Sequence, residues 1–245
     1  MTEPTGRWLR FPREPSGARR LVVCFPPTGA HGATFASWAG LLPAKTALAL
    51  VDPPGRGARL AEPPVHDMTA YTAGVATEVA RQAARSRPPE LVLLGVSLGG
   101  LIAYETCRAL VDGGCQVDLL CPVVSPPPDS CHGRGRTVTP AEARAFADEA
   151  GLTPPELVAH PEFAQLLLPP IADDLRLRDA YDGRSAPALP VPVRACWASH
   201  DPRADPRTVE GWARFTTAHS SFPRLTGGHY VHQSDPAQVI RACLD

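Results

Sequence analysis

Residues 91–105 read Leu91-Val92-Leu93-Leu94-Gly95-Val96-Ser97-Leu98-Gly99-Gly100-Leu101-Ile102-Ala103-Tyr104-Glu105: an apolar strand-like run, a Gly-x-Ser-x-Gly turn and a helix-like run in direct succession. In a nucleophile elbow the serine takes a strained backbone conformation at a strand end, and glycines two residues to either side let strand and helix pack closely. The same residues could make an ordinary glycine-rich turn around a solvated serine, but the flanking strand and helix favour the elbow. A phosphate-cradling loop does not fit, because the motif lacks a following Gly-Lys-Ser/Thr and the chain has no Gly-x-Gly-x-x-Gly.

Outward from this turn, short runs rich in aliphatic and β-branched residues recur at 21–25, 47–51, 90–94, 117–124 and 191–197. Several are apolar throughout, as strands covered on both faces of a parallel sheet must be. A sixth run, 221–225, reads as a weaker edge strand. Between them, 33–42, 69–86 and 98–112 have helical spacing, with Tyr71, Val75 and Val79 on one face of the second. The alternation predicts an open, mostly parallel α/β sheet with flanking helices. It breaks at about 126–187, where Pro126-Pro127-Pro128, Pro140, Pro154-Pro155, Pro161 and Pro169-Pro170 punctuate helical pieces. Proline suits first turns and interrupts helix interiors, so this segment reads as several short helices without strands. Such an insertion would form a lid over the site.

The totals narrow the class. With 245 residues, 24 basic and 25 acidic side chains and no long run of one sign, the chain shows no nucleic-acid footprint and no polybasic membrane patch. Its 20 glycines and 29 prolines stay below the share typical of disorder. The seven cysteines form no Cys-x-x-Cys pair and fall partly in apolar runs, which reads as buried free thiols in a reducing compartment. Residues 1–7 lack the pattern of a signal peptide, and no apolar run approaches the roughly 18 residues of a membrane span. The expectation is a soluble cytoplasmic protein.

A serine hydroxyl is a weak nucleophile until a histidine accepts its proton and an acid orients that histidine. In this kind of sheet the chain order is serine, acid, histidine, so both partners lie beyond Ser97. His229 follows Gly227-Gly228 just past the last strand candidate, where glycines let the chain turn the imidazole back toward the strand ends. His232 is the alternative base. Asp201 follows the run Val193–Ser199, at a strand C-terminus, where open α/β sheets put their sites. Asp205 is the alternative acid, or else the cap of a helix starting near Pro206. The tetrahedral intermediate needs two backbone donors: Leu98 N–H, next to the nucleophile, is one. In Phe25-Pro26-Pro27-Thr28, Thr28 is the first residue past the strand with an N–H and is the second.

Together these residues resemble the type II thioesterases of polyketide and non-ribosomal peptide assembly lines. The likeness runs through Cys24-Phe25-Pro26 and Gly29, Trp38, Pro54-Gly55-Arg56-Gly57 with Arg59, the elbow, Asp173-Asp174-Leu175 with Tyr181, Asp201-Pro202, Trp212, and Gly227-Gly228-His229-Tyr230. It implies a single α/β-hydrolase domain over 1–245 with a helical lid at about 130–185, a Ser97–His229–Asp201 triad, and oxyanion donors at Thr28 and Leu98. It also implies acyl thioesters on the phosphopantetheine arm of acyl or peptidyl carrier proteins as substrates, with no metal or organic cofactor. A trans-acting acyltransferase or cyclase, a carboxylesterase, or a carrier-binding protein without turnover would share the fold. The sequence departs from the family at Pro27-Thr28, at Gly29-Ala30 and at Val96, where histidine usually precedes the nucleophile; the last points to a specialised acyl preference. Arg134, Arg136, Arg176 and Arg178 fall in the lid segment and read as solvated charges, with no docking face assigned.

Overall fold

A computed structural model describes residues 8–12, 16–135, 137–150 and 160–245. The apolar runs become strands β1 Leu9–Arg10, β2 Arg20–Phe25, β3 Thr46–Val51, β4 Glu90–Val96, β5 Leu119–Val123, β6 Val193–Arg194, β7 Trp197–Ala198, β8 Ser220–Ser221 and β9 Arg224–Leu225. Seven form one sheet in the order β1-β3-β2-β4-β5-β6-β8, and β7 pairs with β9 in a second small sheet. Every pairing is parallel except that of β1 with β3. This is the α/β-hydrolase fold, with its mostly parallel sheet as expected. Strands β2, β3 and β4 are buried along almost their whole length, and their Val, Leu and Phe side chains form the central core.

Two expected strands are each divided. The 191–197 run splits because Cys196 N–H donates to Pro122 O while Ala195 N–H donates to Ser221 O, so the strand passes from one neighbour to another. The 221–225 run breaks at Phe222-Pro223, Pro223 having no N–H for a ladder. β1 had no sequence signal: two residues long, it pairs at the edge with Leu50 and Val51.

Helix α1 (Met68–Ser86) starts at Asp67, whose side chain accepts from Ala70 N–H, and buries Tyr71, Val75 and Val79. Helix α2 (Leu98–Asp112) follows Ser97 without a gap. The expected crossover helix at 33–42 is instead a run of 3-10 turns over Gly32–Gly40, burying Phe35 and Trp38. The 126–187 segment also departs from expectation. It contains α3 (Pro140–Ala150) and α4 (Pro161–Ala180), the latter a single 20-residue helix that runs through Pro169-Pro170. Proline inside a helix costs roughly 3 kcal/mol. Ile171, Ala172 and Leu175 offset this by packing on Val138, Ala143 and Ala147 as a second small core. Pro154-Pro155 and Arg136 lie outside the described residues. Short helices α5 (Pro206–Glu210), α6 (Val231–Ser234) and α7 (Pro236–Leu244) complete the chain. Among the described residues no helix is long and apolar enough to cross a membrane. All seven cysteines are free; five are buried, while Cys115 and Cys131 are only half-buried.

The chain leaves β2 for β3 on one side and β4 for β5 on the other. A crevice therefore opens between the C-terminal ends of β2 and β4, the switch point where such sheets place ligands. At that point backbone meets backbone: a Cβ on Gly99 would overlap Phe25 O, and one on Gly95 would overlap Gly99 O. Gly99→Ala should therefore destabilise the fold by on the order of 4–5 kcal/mol, lowering Tm by about 10 °C or more. Gly40→Ala, whose Cβ would meet nothing within 4 Å, should leave the melting curve nearly unchanged; circular dichroism of both variants is the check.

Candidate active site

Ser97 has φ 54° and ψ −120°, a conformation that costs of order 1–3 kcal/mol outside glycine. Its surroundings impose it: Ser97 N–H donates to Val123 O at 2.9 Å, and Gly95 and Gly99 admit no side chain on either flank. Val96 before it is fully buried in β4, so this departure from the family pattern is a core residue.

His229 and Asp201 reach Ser97 from the paired β7 and β9. Past these strands their loops are stitched together: Ser199 N–H donates to Leu225 O at 2.9 Å, and His200 N–H to Gly227 O at 2.8 Å. Gly227 makes the bend at φ +140°. His229 Nδ1 then lies 2.7 Å from Asp201 Oδ2, and its Nε2 lies 3.0 Å from Ser97 Oγ. The Asp201 side chain is wholly buried and its Oδ1 also accepts from Arg203 N–H at 3.0 Å. Burial by itself would raise the Asp201 pKa, but the hydrogen bond and charge of His229, with Arg203, outweigh it and hold it below the ordinary value. An ionised Asp201 fixes the proton on Nδ1, leaving Nε2 to accept the serine proton.

The two alternative residues lie in other surroundings. Asp205 caps α5, accepting from Thr208 N–H at 2.8 Å. His232 is fully buried, and neither ring nitrogen has a hydrogen-bond partner among the described residues. Its backbone carbonyl accepts from Trp38 Nε1 at 3.1 Å.

Leu98 opens α2, so its N–H has no intrahelical acceptor and points out of the helix N-terminus, where negative charge is favoured. Thr28 sits in the turn Pro27–Ala30, closed by Ala30 N–H donating to Pro27 O at 3.0 Å. Thr28, Ser97, Leu98 and His229 all line one cavity of about 410 Å³. Its apolar wall includes Leu101, Val124, Pro126 and Phe146, and Glu149, Arg178 and Arg203 mark its polar rim. A second cavity of about 260 Å³ shares Pro126, Cys131 and Arg178 with it and adds His132 and Arg134. No sequence pattern brings these wall residues together, since they come from separate segments. Of the four arginines singled out between 126 and 187, Arg176 pairs with Asp173 at 2.9 Å, Arg178 with Asp179 at 3.0 Å, and Arg134 is exposed. Among the described residues no group of His, Cys, Asp or Glu could hold a metal ion.

The family model of the thioesterase domain matches residues 20–245. The AMB antimetabolite synthetase AmbE of Pseudomonas aeruginosa is 31% identical over 226 residues, covering 91% of this chain; the chain spans only 10% of that synthetase. The RedJ thioesterase from the prodiginine biosynthetic pathway of Streptomyces coelicolor is a solved structure 30% identical, with TM-score 0.80 over 94% of this chain and 85% of its own. YbtT, a type II thioesterase from the yersiniabactin NRPS/PKS biosynthetic pathway, is 27% identical, with TM-score 0.80 over 96% of this chain and 98% of its own.

His232 makes acid stability testable. Burial first, and the neighbouring charge of His229 second, lower its pKa to about 4, against about 6.5 in an unfolded chain. The folded-state value is the lower one, so between these limits the unfolded chain takes up a proton that the native state refuses. Stability present above about pH 6.5 is thus lost as pH falls toward 4, by roughly 3 kcal/mol. Denaturant titrations at pH 7 and 4.5 should register that loss, and His232→Leu should flatten it.

Proposed function

This chain belongs to the thioesterase family and is a hydrolase of thioester bonds, and from that premise we propose that Ser97, His229 and Asp201 form its acyl-transfer machinery. The observation that carries this is the unbroken chain Ser97 Oγ, His229, Asp201, at 3.0 and 2.7 Å, opening on an apolar cavity. Ser97 Oγ attacks the thioester carbonyl as His229 Nε2 takes its proton. Negative charge on the carbonyl oxygen is met by the N–H groups of Leu98 and Thr28. The intermediate collapses, His229 returns the proton to the departing sulfur, and an acyl ester remains on Ser97. Water, deprotonated by the same His229, attacks that ester and releases the carboxylic acid and free serine.

We assign as substrate an acyl chain on the phosphopantetheine arm of an acyl or peptidyl carrier protein in polyketide or non-ribosomal peptide biosynthesis, and α3 and α4 as the lid. AmbE is named as an antimetabolite synthetase and YbtT as a thioesterase of an NRPS/PKS pathway, which supports this class. The two cavities that meet at Arg178 suit an acyl chain in the inner space and a phosphate-bearing arm in the outer, where Arg134 is exposed and Arg178, paired with Asp179, lines the wall.

Ser97→Ala should abolish labelled acyl-enzyme formation, followed by mass spectrometry of the intact protein. Asp201→Asn should keep the fold and lower kcat by about 10⁴, through the wrong imidazole tautomer. Arg134→Glu should raise KM several-fold for an acyl carrier protein while leaving a short acyl thioester without phosphate unaffected. Equal effects on both substrates would remove the phosphate from the outer cavity.

A further inference from the structure

The turn that carries Thr28 does not stand on β2 alone. Gly29 has φ +77° while Thr28 has no positive φ, and the turn closes through Ala30 N–H to Pro27 O; this is a type II turn. Its central peptide has an alternative setting, the type I turn, in which the Gly29 N–H faces elsewhere. What holds the observed setting is Asp174 on α4, whose Oδ2 accepts from Gly29 N–H at 2.8 Å.

Asp174 is itself gripped. Arg56 Nη1 donates to its Oδ2 at 2.6 Å and Arg56 Nη2 to its Oδ1 at 2.7 Å, a two-pronged pair with both side chains almost wholly buried. Arg56 Nη1 also donates to Ala30 O at 3.3 Å, so both partners of the ion pair touch the turn. One helical turn earlier on the same face of α4, Ile171 packs under the turn so closely that a Cβ on Gly29 would sit 2.6 Å from Ile171 Cγ1. One turn later on that face, Arg178 lines the cavity. A buried ion pair contributes little net stability compared with apolar residues of similar volume; two-pronged guanidinium–carboxylate geometry does fix orientation.

We infer that Asp174 and Arg56 are positioning residues for the reaction: they lock the Pro27–Ala30 turn so that Thr28 N–H faces the developing oxyanion. Helix α4 thereby sets the competence of the site as well as covering the cavity. This rests on the reading of Thr28 as an oxyanion donor. Without the Asp174 carboxylate, Gly29 N–H loses its acceptor and Arg56 its ion-pair partner, the turn as a whole is no longer seated against α4, and Thr28 N–H leaves the 2.7–3.1 Å range a donor must keep. Displacements of about 1 Å at such a point cost on the order of 10²-fold in rate.

The test uses the full chain with a short acyl thioester, comparing Asp174→Ala, Asp174→Asn, Arg56→Ala, Arg56→Lys and Thr28→Pro. Thr28→Pro is the direct control: proline suits the second position of a type II turn but has no N–H. It should lower kcat about 10²-fold or more. Asp174→Ala should lower kcat roughly 10–100-fold with KM within about twofold. Asp174→Asn, which keeps an acceptor for Gly29, and Arg56→Lys, which keeps the charge, should recover part of the loss. The discriminating readout is a trifluoromethyl ketone analogue of the acyl group, which forms an oxyanion adduct on Ser97. Its affinity should fall in step with kcat, while binding of the matching amide does not change. Should Asp174→Ala not fold, Asp174→Asn and Arg56→Lys carry the comparison.

A lowered Tm with kcat and adduct affinity at the wild-type level in the Asp174 and Arg56 variants, while Thr28→Pro is impaired, overturns the positioning role alone. Wild-type kcat in Thr28→Pro removes the oxyanion assignment beneath it. Turnover retained in Ser97→Ala removes the catalytic reading itself.

Discussion

The contact on which the site depends is one between main chains: the start of α2 lies directly against the end of β2, with Gly99 against the carbonyls of Phe25 and Pro26 and Gly95 against Gly99. No side chain fits in that space, so the chain turns from β4 into α2 within one residue, and that residue is Ser97 in a left-handed conformation. The strain of order 1–3 kcal/mol is small beside the burial of strands whose every Leu or Val contributes about 1.5–3 kcal/mol. The same approach brings the free N–H groups at the α2 N-terminus and the first free N–H beyond β2 to one crevice. The proposed nucleophile and the proposed oxyanion donors are thus brought together by a single packing constraint.

Outside the sheet, buried charges orient what packing alone leaves loose. Asp52 accepts from Arg10 Nε and from Gly32 N–H at 2.8 and 2.9 Å, joining the edge strand to the 3-10 segment. Glu105 on α2 accepts from Tyr181 at 2.5 Å and pairs with Arg108 at 2.6 Å. Helix α4 is therefore pinned twice, by Asp174 to the turn after β2 and, just past its end, by Tyr181 to α2. Such pairs are specific in direction, whereas apolar burial is not.

The sheet was legible because its strands are apolar throughout and its elbow has fixed glycine spacing; Ser97, His229 and Asp201 stood out because glycines or a strand end flanked each. The prolines of the 126–187 segment misled. Local propensity breaks a helix at Pro169-Pro170, but burial of Ile171, Ala172 and Leu175 against α3 holds it together. β1 was invisible because a two-residue edge strand has no periodicity, and the 3-10 segment because its apolar positions satisfy a helical pattern equally well. Arg56 and Asp174 were noticed only as parts of motifs; they are 118 residues apart, and no local pattern encodes that pairing.

By itself, the amino-acid sequence determined the alternation of β2 to β5 with α1 and α2, the Gly-x-Ser-x-Gly turn, and two short sets of candidates for base and acid. It did so because these depend on periodicity and on glycine or proline at fixed offsets, which are local properties. The tertiary structure alone showed which of His229 and His232, and which of Asp201 and Asp205, stands in the hydrogen-bonded chain that ends on Ser97. Those pairs lie three and four residues apart, and they differ only in which way a loop, tied by hydrogen bonds to another loop, turns each side chain. It alone also decided the walls of the cavity and the link from α4 to the turn of Thr28, since both are made where segments distant in the chain are packed together.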